Sequence, residues 1–271
     1  MKERLDVLLV NKGFFESRQA AAASVMAGVV YVNGQREDKA GKKFNDDVEV
    51  TITQDICPYV GRGGLKLEGA ANKFGFDLHN NVAVDIGAST GGFTDFMLQN
   101  GAKKVYSIDV GYGQLDWKLR NDPRVVNLER TNIRHLDFAL IEEPVDFISI
   151  DVSFISLKLV LPVATSLLGE LGQIVALVKP QFEAGKSQVG KKGIVRDLNI
   201  HKEVIENVVF FAKENGLCAV DLTKSPITGA KGNQEYLILL KKQSDPRDLE
   251  LTDDTIDKVI TEDKETKEDI N

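Results

Sequence analysis

Asp85-Ile86-Gly87-Ala88-Ser89-Thr90-Gly91-Gly92-Phe93 is the stretch on which the fold turns. It ends the apolar run Val82-Ala83-Val84 and leads into helical spacing over 93–100, so it reads as strand, glycine-rich turn and helix. Glycines let a backbone turn sharply and approach a ligand closely at the carboxyl edge of a sheet, where doubly wound folds bind their ligands. The spacing differs from the G-x-G-x-x-G of dinucleotide binders. An acid ahead of a D-x-G-x-x-x-G loop would repel a pyrophosphate and suits a cationic ligand. Asp85, Gly87, Ser89, Thr90, Gly91, Gly92 and Phe93 are therefore the candidate ligand contacts.

Beyond this turn, short apolar runs at 104–109, 124–128, 145–151 and 173–179 alternate with helical candidates near 114–120 and 156–168. After a helix near 200–215, two more strands at 217–223 and 235–241 lie close enough to pair as a terminal hairpin. This alternation predicts an α/β fold, a parallel sheet with helices on both faces. Asp109 ends the second strand 24 positions after Asp85, where an acid can accept hydrogen bonds from ribose hydroxyls. A positively charged ligand with a free ribose points to S-adenosylmethionine as the cofactor.

Two further charges stand where a buried sheet should be apolar. Asp151 closes the fourth strand and Lys179 the fifth, so both would face one crevice from adjacent strands. A charge at a strand end also fits a chain emerging into solvent, but two opposite charges at one edge are less easily read that way. Gly185-Lys186-Ser187 resembles the end of a phosphate-binding loop, yet the glycine required five positions earlier is Pro180, which disfavours an ATPase.

Ahead of the sheet lies a different grammar. Leu5, Leu8 and Leu9 are at helical spacing, Ser17 is a helix N-cap for the alanine-rich run 18–27, and Gly28 is its stop. Val29 to Val32 read as a strand, Asn33-Gly34 as a hairpin turn, and Val48, Val50 and Ile52 as a further strand. Residues 1–60 form a small α+β module. Pro58 and Gly61-Arg62-Gly63-Gly64 punctuate the chain, so 61–66 reads as a linker and 67–243 as the α/β domain.

The 271 residues carry 34 Lys and Arg against 41 Asp and Glu, a net charge of -7 that by itself argues against a nucleic-acid partner. Residues 245–271 hold 11 of the acids and 4 of the bases, so all of the excess belongs to them and residues 1–244 balance at 30 each. The segment 244–271 reads as an acidic, mobile or weakly helical tail. Cys57 and Cys218 have no metal or disulfide spacing, and His79, His135 and His201 stand singly as surface or loop residues, so no metal site is encoded. Neither a secretory signal nor an apolar stretch of membrane-spanning length is visible, which predicts a cytoplasmic protein with no membrane partner. Trp117 reads as a packing residue.

Several of these segments carry a family resemblance. Arg4-Leu5-Asp6, Ser17-Arg18-Gln19-Ala20 and Val30-Tyr31-Val32-Asn33-Gly34 resemble an S4 RNA-binding module. Residues 61–242 resemble the FtsJ-like class I, Rossmann-like methyltransferases, and the chain to about residue 242 resembles the TlyA family of ribosomal RNA 2'-O-methyltransferases, also called haemolysin A. The resemblance rests on 85–93 together with Asp109-Val110-Gly111-Tyr112-Gly113-Gln114-Leu115, Asp151-Val152-Ser153-Phe154-Ile155-Ser156 and Lys179-Pro180-Gln181-Phe182-Glu183. It implies a catalytic Lys-Asp-Lys-Glu tetrad at Lys66, Asp151, Lys179 and Glu235, with Asp151 also at the cofactor and Asn132 beside the adenine. It further implies S-adenosylmethionine-dependent methylation of a cytidine 2'-hydroxyl in large-subunit RNA, and extends to small-subunit RNA as an open alternative. Ribosomal RNA or a ribosomal subunit is the expected partner; oligomeric state is not legible.

Methyl transfer from a sulfonium requires no metal, only an aligned and deprotonated hydroxyl. Lys179 is the expected base or hydroxyl-positioning group, with Lys66 as the neighbouring cation and Asp151 and Glu235 as orienting groups. Arg4, Arg18 and Arg62 are the expected RNA contacts of the small module, and Lys186, Lys191 and Lys192 those of a glycine-containing loop over 182–197, which equally fits an exposed flexible loop. The alternatives are a membrane-active haemolysin, for which no amphipathic insertion segment is visible, and a non-catalytic RNA-binding protein, which the complete tetrad disfavours.

Overall fold

The structure is a computed structural model that describes residues 2–15, 17–52, 57–242 and 250–268. The chain falls into two compact units, Met1–Arg62 and Gly63–Asn271.

In the small unit, helix Leu5–Asn11 is followed by helix Arg18–Ala27. Ser17 caps the second by accepting from the Ala20 amide, and Gly28 ends it at φ 76. Strand Val30–Val32 pairs antiparallel with Val50–Ile52 and, through the Asn33-Gly34 turn, with Gln35–Arg36. Both turn residues have positive φ, 51 and 73, as a tight right-twisted hairpin requires. Leu5, Leu8, Leu9, Ala21, Val25, Val30 and Val32 close its core.

The large unit is built on seven strands: β1 Val82–Ile86, β2 Lys104–Ile108, β3 Val125–Leu128, β4 Val145–Ile150, β5 Leu168–Val178, β6 Leu217–Lys224 and β7 Tyr236–Lys242. Their order is β6-β7-β5-β4-β1-β2-β3. The five strands from β5 to β3 are parallel, and β7 runs antiparallel to both its neighbours. All five residues of β1 are buried, as a central strand covered on both faces demands. Asp85 is one of them, and in register it lies between Ser107 of β2 and Ser149 of β4.

Three boundaries differ from the sequence expectation. Helix Gly63–Phe74 begins inside the expected linker 61–66, so Lys66 stands on a helix, with Leu67 and Ala70 buried. The expected helix 156–168 shortens to a turn at Leu157–Leu159 and a helix Leu161–Leu167. β5 then starts earlier than expected and carries an irregularity between Leu168 and Gln173. In the C-terminal segment, helix Asp253–Glu268 buries Ile256, Val259 and Ile260 against the core, and the Leu251 amide donates to the Ala219 carbonyl of edge strand β6 at 2.7 Å. Mobility is therefore the wrong reading for 250–262: three apolar residues at helical spacing outweigh the solvation of their acidic neighbours. The remainder of the expected tail at 244–249 and 269–271 lies outside the described residues.

Candidate active site

The carboxyl ends of β1, β4 and β5 meet the start of β7 at one edge. In β5 and β7, Val178 pairs with Tyr236, so the antiparallel register sets Lys179 and Glu235 side by side although 56 positions separate them. Asp151 follows β4 directly, and its amide donates to the Ile86 carbonyl at 2.9 Å. Helix Gly63–Phe74 brings Lys66 to the same place. Lys179 Nζ lies 2.5 Å from Asp151 Oδ1, and Lys66 Nζ lies 3.9 Å from Asp151 Oδ2 and 2.7 Å from Glu235 Oε2. Lys66, Lys179 and Glu235 are buried. Two cations and two anions thus form one chain, buried except at Asp151, in which loss of Asp151 strips Lys179 of its carboxylate and loss of Lys66 strips Glu235 of its ammonium.

The glycine turn forms the adjoining cleft. Gly87, Ala88, Ser89, Thr90, Gly92, Phe93, Gly63 and Asp151 line it, so Asp151 belongs both to the cleft and to the charged chain. Gly87 has φ 89, and a Cβ there would lie 2.4 Å from the Asp151 carbonyl oxygen, so only glycine lets β1 turn this close to β4. Gly91 lies just outside this lining; at φ 96 it caps helix Gly92–Gln99, packed under Leu115 and Leu119. Asp109 accepts from the Ser89 amide at 2.8 Å and the Gly111 amide at 2.6 Å, which ties the end of β2 to the turn. Asn132 lies at the same edge, since the Thr131 amide donates to the Asp109 carbonyl, and its Oδ1 accepts from the Arg134 amide.

Asp85 is placed elsewhere. It is fully buried below the turn, accepting from Thr94 Oγ1 at 2.7 Å and Ser149 Oγ at 3.1 Å, and Thr94 bonds in turn to Ser107 at 2.8 Å. Burial pushes its carboxyl up to about 7 against the opposing hydroxyl bonds. Its expected contact with a cationic ligand is corrected: the side chain points into the sheet layer, where helix Gly92–Gln99 covers it.

The basic candidates are distributed. Arg4 and Arg18 both pair with buried Asp6 at 3.0 Å; the Arg4 hydrogen bond, ahead of the Arg18 one, holds that carboxyl down at about 2. Arg62 is half-buried, and burial together with the Arg36 charge lowers its pKa. Lys186, Lys191 and Lys192 are exposed on the loop after the short helix Pro180–Glu183. Asn233 pins that loop, donating to the Gly193 carbonyl at 2.9 Å and accepting from the Val195 amide at 3.2 Å.

His201, expected at the surface or in a loop, is buried in helix Leu198–Glu214. Its Nε2 faces the Val195 carbonyl at 3.0 Å, so that nitrogen carries the proton and Nδ1 accepts from the Tyr236 hydroxyl at 2.8 Å. Burial lowers its pKa. Trp117, expected in packing, is 77% exposed.

Four residues at the site escaped the sequence reading. Ser153 Oγ accepts from Lys179 Nζ at 2.9 Å. Glu183 accepts from Ser156 Oγ at 2.7 Å and the Leu157 amide at 2.8 Å, joining the segments after β5 and β4, and burial raises its carboxyl pKa. Gln181 donates to Glu235 Oε1 at 2.9 Å. Phe154, at φ 64 and 90% exposed, lies 4.8 Å from the Phe182 ring, a strained placement for an apolar side chain. Their shared signal in the sequence is proximity to Asp151 and Lys179, and no periodicity marks them.

A sheet of this order, with a glycine turn after β1 and a charged chain at the same carboxyl edge, defines a Rossmann-like class I methyltransferase. The chain belongs to the FtsJ-like methyltransferase family, whose model matches residues 59–242, with an S4 domain matched over residues 3–50. It is 49% identical over 96% of its length to YqxC of Bacillus subtilis, provisionally named an rRNA methyltransferase, and covers 94% of that protein. It is 43% identical over 90% of its length to TlyA of Mycobacterium tuberculosis, named a 16S/23S rRNA (cytidine-2'-O)-methyltransferase, and covers 91% of it. A solved structure provisionally named a hemolysin from Streptococcus thermophilus superposes with a TM-score of 0.78 at 48% identity, over 99% of this chain and 98% of that one. Among the described residues, no helix is long and apolar enough to cross a membrane.

Proposed function

We propose that this methyltransferase uses S-adenosylmethionine to methylate a cytidine ribose 2'-hydroxyl of ribosomal RNA, with the S4 domain as the RNA-binding module. The observation that carries the reading is Asp151: one carboxylate lines the cleft beside Gly87 and pairs with Lys179 at 2.5 Å, so ligand cleft and charged chain meet there. The close backbone approach at Gly87 supports the cofactor reading, and Asp109, which ties the end of β2 to the turn, is assigned to the ribose hydroxyls. Ser89, Thr90, Gly91, Gly92, Phe93 and Asn132 complete the proposed holding set, without Asp85.

When bound, S-adenosylmethionine supplies a methyl group already activated by a positive sulfur. The chain's task is then to fix the hydroxyl and receive its charge. Lys179 Nζ, directed by Asp151 and Ser153, donates to the hydroxyl oxygen and holds it in line. Lys66, held by Glu235, adds a second ammonium facing Asp151, so both lysines stabilise the negative charge that grows on that oxygen while its proton passes to the Asp151 carboxylate and the oxygen takes the methyl from sulfur. Phe154 offers an exposed ring at this edge for stacking by a base turned out of its helix. The exposed Lys186, Lys191 and Lys192 are assigned to the RNA backbone, together with Arg4 and Arg18 of the S4 domain.

The relative named for both 16S and 23S RNA supports ribosomal RNA as the substrate class. Mapping methylated riboses in both subunit RNAs from cells with and without this protein tests it and selects the subunit. In vitro, Lys179→Ala abolishes turnover while cofactor affinity stays within about twofold; an active Lys179→Ala enzyme refutes the assignment.

A further inference from the structure

Glu235 is held at both oxygens. Lys66 takes Oε2 at 2.7 Å, and the carboxamide of Gln181 takes Oε1 at 2.9 Å. Gln181 Oε1 is shielded from solvent and, alone among buried side-chain oxygens and nitrogens of the described residues, has no hydrogen-bond partner. A carboxamide can exchange its oxygen and nitrogen by turning over. Turning here would aim the carbonyl at a carboxylate, so the charge on Glu235 dictates the orientation and leaves the carbonyl unpaired. The carboxylate has little room to move, since a Cβ on Gly229 would lie 2.0 Å from Glu235 Oε1. A buried polar atom left unsatisfied beside reacting groups is the kind of local cost that persists at functional sites.

We propose that Gln181 is a positioning residue for the methyl transfer: its N–H fixes the Glu235 carboxylate, which in turn aims Lys66 toward Asp151. The inference rests on the 2'-hydroxyl reading above and deepens it. A neutral donor is what this place requires. It supports the anion without competing with Lys66 for it, as a third cation would, and without repelling it, as a carboxylate would.

Two variants of the full-length protein test this. Gln181→Leu removes the donor, and kcat falls about 100-fold while the KM for ribosomal RNA and the cofactor affinity stay within about twofold. Gln181→Glu sets two carboxyls against each other; they share one proton, and the protonated member donates as the amide did. Turnover is then close to wild type at low pH and declines as that proton is lost, a limb that Gln181→Leu lacks. Carboxyl 13C NMR on Gln181→Glu follows the same proton without any reaction, as a carboxyl titrating well above the ordinary range. Wild-type kcat in Gln181→Leu overturns the proposal, as does a Gln181→Glu protein with no raised titration and no pH limb. Should Gln181→Leu fail to fold, Gln181→Glu carries the test alone. Failure of the wild-type enzyme to methylate riboses refutes the functional reading instead, and the NMR titration still decides whether Gln181 governs Glu235.

Discussion

Asp85→Asn should stabilise the large unit at alkaline pH and leave it nearly unchanged in acid. The carboxyl is fully buried and titrates at about 7 in the folded chain, against 3.8 for a free aspartate. Below about pH 4 both folded and unfolded chains hold the proton. Between those values the folded chain binds it and the unfolded chain does not, so stability falls as pH rises, and above about pH 7 the folded chain carries the whole cost of a buried anion. At about 1.4 kcal/mol for each tenfold change in proton affinity, the displacement from 3.8 to about 7 amounts to about 4 kcal/mol. Asparagine keeps the shape and never ionises. The hydroxyls of Thr94 and Ser149 can rotate, one donating to its carbonyl and the other accepting from its amide. Urea unfolding followed from about pH 5 to 8.5 should show the wild type losing stability and Asp85→Asn holding it, the gap widening toward that ceiling. Parallel pH profiles for the two proteins would refute the reasoning, because the carboxyl would then not be the titrating group.

Other consequences can be measured separately. Gly87→Ala forces a Cβ to within 2.4 Å of the Asp151 carbonyl oxygen at φ 89, and should cost about 2–5 kcal/mol in urea unfolding together with most of the cofactor affinity in calorimetry. Asp6→Asn releases Arg4 and Arg18 from a carboxylate held at about 2, an interaction present above about pH 4 and lost as pH falls through about 2. It should lower the unfolding temperature of the small unit at neutral pH but not near pH 2, and steepen the salt dependence of RNA binding. Ile256→Ala should cost about 2–4 kcal/mol, because the side chain is 2% exposed against the core; unchanged stability would show that the C-terminal helix is not docked.

Much of the site was legible because strand ends are local events. Asp109, Asp151 and Lys179 each follow an apolar run directly, and a charge at that position must leave the sheet at its carboxyl edge. Asp85 broke the same rule. It also ends an apolar run, yet it belongs to the strand itself, and the serines at its register positions come from 107 and 149, which no local reading connects to it. Charge counting misled at the C-terminus, where the spacing of Ile256, Val259 and Ile260 was the stronger signal. The early start of helix Gly63–Phe74 was hidden by Gly63 and Gly64, which read as punctuation.

The sequence by itself determined the alternation of strands and helices, the glycine turn after β1, the separate helix-and-hairpin module, and which residues stand at strand ends. Each of these follows from side-chain period and backbone freedom over a few residues. Only the tertiary structure decided that Asp85 faces a buried hydroxyl layer while Asp151 faces the cleft, and that Lys66 and Gln181 share the Glu235 carboxylate. Those outcomes depend on strand register and on the reversed direction of β7, set by packing between segments up to 169 positions apart.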